Sequence, residues 1–136
     1  LFIYGDRSGK SNKTGESEVV IHDFDVVFTE LSRWVDNRSD RVMRSNPPHA
    51  KAREFMGHCF SGRLPIDITF DPSMHNTISD HLHLKQGPDG GILKEYAVDE
   101  VTKARYEKHG HCAQAVYYEV ISAFKDMYDD MGILAA

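Results

Sequence analysis

Between residues 116 and 131 the chain places Val116, Val120, Ile121, Phe124, Met127, Tyr128 and Met131 at a spacing close to the ~3.6-residue period of a helix. This is the strongest hydrophobic pattern in the sequence, and it predicts long amphipathic C-terminal helices. Ala50 to His58 forms a second helix candidate. Val27, Leu31, Trp34 and Val35 form a short third one, which places Trp34 in the core. Leu1 to Tyr4 reads as a strand, and Glu18 to Phe28 as a strand that passes into helix. Leu64 to Phe70 alternates like a strand, with Pro65 near its start, where a missing donor is tolerated. Thr77 to Leu84 fits either state. From Ile92 onwards Tyr96, Ala97, Val101, Ala104 and Tyr106 continue a helical pattern up to Gly110. Polar or turn-rich stretches separate these elements: Gly5 to Glu16, Asp36 to Pro48, Asp71 to Ser73, and Gln86 to Gly91. The sum is an α+β fold, a small sheet packed against several helices.

At 136 residues the chain has the size of a single domain, 1–136, or of a piece of a larger fold. Its 40% hydrophobic and 27% charged content is ordinary for a globular protein. No apolar run is long enough to span a bilayer, and no signal-peptide pattern stands at the start. A net charge of −5 excludes a broadly basic nucleic-acid surface. Eight histidines change that picture in acid, since −5 + 8 gives +3 before any carboxylate titrates. Two sequons, Asn12-Lys13-Thr14 and Asn37-Arg38-Ser39, fit a secreted protein or an acidic secretory compartment, with a cytoplasmic location as the alternative.

Candidate chemistry concentrates in Tyr106-Glu107-Lys108-His109-Gly110-His111-Cys112, where two imidazoles, an ammonium, a carboxylate and a thiol surround one glycine. The stretch lies at a helix end. One reading makes Gly110 the residue just past a helix, with Lys108 and His109 at the negative end of its dipole. The other brings Lys108 and His109 together as a charge-stabilising, proton-transferring pair for a phosphate or an oxyanion. A second constellation is His81-Leu82-His83, with His75 and Asp80 nearby. On a strand its two histidines point to one side and can share a metal, with His109 or a distant carboxylate completing the shell. This pattern resembles the metal motif of rolling-circle nucleases, in which Tyr106 would be the attacking tyrosine. Cys59 and Cys112, each beside a histidine (His58, His111), leave a disulfide, two buried thiols or a mixed Cys/His zinc site open. Gly9-Lys10-Ser11 lacks the spacing of a phosphate loop and is set aside.

Glu107-Lys108-His109-Gly110-x-Cys112 resembles an active-site segment of the ribonuclease T(2) family, whose lysine and histidine there are catalytic. Phe70-Asp71-x-Ser73, Ile78-Ser79-Asp80 and the helix from Tyr117-Tyr118 to Ile133-Leu134 are similar to family segments at comparable distances, so the resemblance covers roughly residues 59–134. It implies a disulfide between Cys59 and Cys112. The family's first active-site segment has only Ile21-His22 as a counterpart. Arg105 stands where the family has its catalytic glutamate, Ala104 where it has a histidine and Tyr106 where it has a tryptophan.

The resemblance implies a metal-independent endoribonuclease, active or degenerate, that needs no cofactor. A ribose 2′-hydroxyl attacks the adjacent phosphorus with His109 as one acid–base partner and His22 or His111 as the other. Lys108 stabilises charge on phosphorus, and Glu107 orients a histidine. RNA is the implied partner and no membrane is expected. Two alternatives stand beside this reading. One is a small interaction module that binds a protein partner without turnover. The other is a metal-dependent nuclease built on His81 and His83.

Overall fold

The computed structural model describes residues 1–7 and 23–134. His22, Gly9-Lys10-Ser11 and the sequon at Asn12 lie outside the described residues. The fold is α+β and divides into two compact units, Leu1–Asn46 and Pro47–Ala136.

In the first unit, β1 (Phe2–Ile3) pairs in parallel with β2 (Ser39–Asp40), and α1 spans Asp23–Leu31. Phe24 and Phe28 stack one turn apart on α1, with ring centroids 5.9 Å apart. Arg38 lies over Phe28 at 4.9 Å and donates to its carbonyl at 3.1 Å. Trp34, expected in the core, is instead 83% exposed. Helix α1 stops at Leu31, and Ser32 to Trp34 form a turn closed by Trp34 N–H to the Leu31 carbonyl. The helical spacing that put Trp34 on the apolar stripe therefore ends before it.

The buried hydrophobic residues belong to the second unit, among the described residues. Helix α2 (His49–Phe60) buries Ala52, Phe55, Met56 and Cys59, positions three and four apart on one face. Helix α3 spans His75–Leu82, which settles the ambiguous Thr77–Leu84 segment as helix. The C-terminal stripe divides into α4 (His111–Ala123) and α5 (Lys125–Leu134), broken at Phe124. Ala113 and Ile121 of α4 are fully buried, and Tyr128 of α5 meets Phe55 edge-on at 5.4 Å.

Two expected elements differ. Leu64 to Phe70 has no regular structure, although Ile66 is buried. An alternating pattern satisfies side chains, but a strand also needs a ladder partner, and Pro65 withholds one donor. The segment Tyr96 to Glu107, expected as helix, is a hairpin of β3 (Tyr96–Val98) and β4 (Arg105–Glu107), with Ala97 opposite Tyr106. The Asp99 carboxylate accepts from the N–H groups of Val101 and Thr102 at 3.0 and 2.6 Å and from the Thr102 hydroxyl at 2.9 Å. That local competitor reverses the chain where a helix would continue. Arg105 lies 3.9 Å over the Tyr96 ring across the pair. The turn at Gln86 to Gly91 forms as expected, closed by Gly87 N–H to the Gly91 carbonyl at 2.8 Å.

Truncating Ile121 to alanine is expected to destabilise the fold by about 2–5 kcal/mol, as for other fully buried aliphatic residues. Trp34→Ala should change stability by no more than about 0.5 kcal/mol. Urea denaturation of both variants checks the pair, and a large loss on Trp34→Ala would contradict its exposed position.

Candidate functional site

Helix α4 starts at Gly110, which has φ 115° and no side chain with which to cap the helix. A helix start leaves unpaired N–H groups and a partial positive charge. Asp80, on the last turn of α3 and itself buried, supplies what is missing. Its Oδ1 accepts from Gly110 N–H at 2.8 Å, and its Oδ2 from Cys112 and Ala113 N–H at 2.8 and 3.2 Å. Burial pushes the Asp80 pKa up, but the three backbone donors and the neighbouring His109 outweigh it and hold the carboxyl below its ordinary value. Gly110 therefore begins a helix rather than ending one, which corrects the reading that made it the residue just past a helix.

The same carboxylate meets His109, whose Nδ1 lies 3.5 Å from Asp80 Oδ1. A proton on Nδ1 thus faces a negative charge, leaving Nε2 as the nitrogen free for chemistry. The His109 ring stacks on His83, with centroids 4.8 Å apart and planes 11° from parallel. His83 Nδ1 donates to the Ser79 carbonyl at 2.7 Å, because a carbonyl only accepts, so in the neutral ring its Nε2 is also a bare acceptor. Two imidazoles thus lie against each other, one from the end of α3 and one from the approach to α4.

Glu107 at the end of β4 is nearly buried, its side chain 6% exposed. Its Oε2 accepts from Lys94 Nζ at 3.1 Å and lies 3.6 Å from His111 Nε2, whereas Oε1 has no partner. A Cβ at position 110 would stand 3.1 Å from that Oε1 and 3.2 Å from Ile92 Cγ2, so space as well as positive φ reserves the position for glycine. Lys108 has an exposed side chain, and its N–H extends the hairpin ladder to the Glu95 carbonyl at 2.8 Å. The Glu95 carboxyl is held below its usual range first by the hydrogen bond and charge of Lys85, with Lys108 and His109 adding to this. Lys85 thus binds this carboxylate directly at 2.6 Å, and Lys108 and His109 lie within its electrostatic reach.

Of the heptapeptide's candidates, Glu107 and His111 approach each other beside Gly110, His109 turns to Asp80, and Lys108 is exposed; His111 is largely exposed too. Tyr106 is exposed on β4. His81 and His83 do not form a shared metal pair, because they lie on a helix end rather than a strand and occupy different surroundings. His81 donates from Nδ1 to the Thr77 carbonyl at 2.8 Å. Its ring lies among Phe60, Phe70 and Tyr117, at 5.7, 4.8 and 6.4 Å, with Nε2 buried and unpartnered. Among the described residues no three His, Cys, Asp or Glu side chains are grouped to hold a metal ion, a zinc site with the cysteines included. Cys59 and Cys112 are free thiols, not the disulfide that the resemblance implies; burial pushes the Cys59 thiol pKa up. Lys85 and Lys94 were not singled out, and Asp80 was named only beside the histidines at 81 and 83 and within the family resemblance, not as the partner of the α4 start. The available signal was the missing cap, since a helix opening on Gly-His-Cys needs a carboxylate from elsewhere.

No family model matches this chain, and no solved structure matches it. It is 25% identical over 108 residues to a lysine–tRNA ligase of Prochlorococcus marinus (strain MIT 9215), a similarity that covers 76% of this chain and 20% of that protein. The chain thus corresponds to about a fifth of that relative's length. Among the described residues no helix is long and apolar enough to cross a membrane.

Asp80→Ala is expected to cost about 2–3 kcal/mol, the scale for losing a helix cap and charge-assisted bonds to buried donors. A lowered carboxyl pKa stabilises the folded chain above the unfolded value of about 4, and that share is lost as pH falls through the folded value. Urea midpoints of the wild type should therefore fall between about pH 5 and pH 2 more steeply than those of Asp80→Asn. Parallel curves for the two proteins would remove Asp80 from this role.

Proposed function

We propose that the chain cleaves RNA without a metal, by acid–base catalysis at the stacked His83–His109 pair. The observation that carries this reading is the Asp80–His109–His83 arrangement, a carboxylate-oriented imidazole lying flat against a second one. One imidazole takes the proton from a ribose 2′-hydroxyl as its oxygen bonds to the adjacent phosphorus. The other gives a proton to the 5′-oxygen as the P–O5′ bond breaks, leaving a 2′,3′-cyclic phosphate and a 5′-hydroxyl. No water, oxidant or further reactant enters this step. Lys108, exposed beside His109, neutralises charge that builds on the phosphorus oxygens. Glu107 acts at one remove, holding Lys94 and His111 by a single oxygen.

The similarity to a lysine–tRNA ligase, an enzyme named for a tRNA, supports RNA as the polymer. The resemblance to ribonuclease T(2) around Glu107 to Cys112 supports transphosphorylation as the reaction. His83 takes the second histidine's place in this reading. Arg105 and Ala104, standing where that family has a glutamate and a histidine, favour a second reading in which the same site holds RNA without cutting it.

A fluorescent RNA oligonucleotide, incubated with excess chelator at about pH 5 and about pH 7.5, tests both. Chelator-resistant cleavage is expected, with His109→Ala slower by about a hundredfold to ten-thousandfold and His83→Ala also impaired. Binding that survives in all three proteins without any cleavage would leave the second reading in place.

A further inference from the structure

Two tyrosines stand exposed on the β3–β4 hairpin, Tyr96 at 47% and Tyr106 at 51%. The ladder sets them on opposite faces, because Tyr106 is paired with Ala97 and neighbouring side chains alternate. Tyr96 shares its face with Arg105, whose guanidinium covers the ring at 3.9 Å. Tyr106 has only the methyl group of Ala97 across from it. Among the described residues no ring, cation or hydrogen bond engages its side chain. An exposed aromatic ring left open in this way offers a surface on which an unstacked base can lie.

The charges on the same face suit the phosphate attached to such a base. Lys108 stands two residues beyond Tyr106, about 7 Å along the strand and on the same side. Strand geometry persists that far, since Lys108 N–H donates to the Glu95 carbonyl at 2.8 Å. The Glu95 carboxylate opposite Lys108 is bound by Lys85 at 2.6 Å. Glu107 turns inward to Lys94, and Asp99 is taken up by its own turn. Glu100 is exposed in the turn at the far end of the hairpin. From Tyr106 the chain therefore runs past an exposed ammonium to His109, with the nearest carboxylates already bound.

We propose that Tyr106 is a stacking platform for one unpaired base of an RNA strand, the adjoining phosphate lying on Lys108. The proposal rests on the RNA reading of the histidine site and narrows its substrate to single-stranded RNA, since a base stacked within a duplex has no free face to offer.

Fluorescence anisotropy on the whole chain tests it, with thermal melts to establish that each variant is folded. The probe is a labelled 2′-O-methyl RNA oligonucleotide, which has no free 2′-hydroxyl to react, used alone and annealed to its complement. The single strand is expected to bind more tightly than the duplex. Tyr106→Ala should weaken the single strand by about fivefold to a hundredfold, and Tyr106→Trp should retain it. Lys108→Gln should reduce the slope of log affinity against log salt by about 0.7. Tyr96→Ala should leave affinity unchanged. Equal affinity for single strand and duplex would overturn the base assignment. Full affinity in Tyr106→Ala, or an equal loss in Tyr96→Ala, would overturn the site while leaving the RNA reading in place. Failure of the wild type to bind either form would overturn the RNA reading and the platform together. Cleavage is scored separately, so binding that is lost with Tyr106→Ala in a protein that never cuts RNA supports the platform and counts against the cleavage reading alone.

Discussion

Asp80 accepts three backbone hydrogen bonds from the first turn of α4, and the second unit of the molecule depends on that contact. Burying a carboxylate is costly unless its lone pairs are taken up. Here the donors are N–H groups that would otherwise be orphaned at a helix start, so each partner satisfies the other's deficit. The bond joins residues 30 to 33 positions apart in sequence, and it exists only when α3 and α4 are packed. His83 follows from one helix and His109 from the other. Their stacking and the cap therefore depend on the same packing of α3 against α4.

Around this contact the charges are arranged with little slack. Lys85 is taken up by Glu95 and Lys94 by Glu107, which leaves Lys108 beside His109 as an ammonium with no side-chain ion pair among the described residues. Glu107 holds both Lys94 and His111 through one oxygen and keeps the other buried toward Gly110. Glu107 and Asp80 are turned inward while Lys94 and Lys108 face outward, so a net acidic chain here presents cationic groups beside His109.

Much of this was legible from residue pattern alone. The stripe at Val116 to Met131 and the helix at Ala50 to His58 were readable because each buries a continuous face. The heptapeptide drew attention because its side chains are dense in chemistry around a glycine. The hairpin at Tyr96 to Glu107 was not legible, since its apolar spacing is helical and only the Asp99 side chain decides for a turn. Leu64 to Phe70 misled in the opposite sense, having a strand's alternation and no ladder partner. Trp34 depended on where α1 stops. Asp80 was noticed as a neighbour of two histidines, but its capping role escaped because it belongs to a helix the residue is not part of, and a cap given by a distant residue leaves no local spacing to find.

The donors to Asp80 are main-chain groups at positions 110, 112 and 113, and every amino acid but proline carries them. The scaffold of the site is therefore blind to what the side chains at 111 and 112 are, provided the glycine at 110 remains. The cap does not read the side chains at 108 and 111, which are exposed around it. A chain built this way can drift from one chemistry to another, or lose turnover while keeping a ligand, without first surrendering its fold.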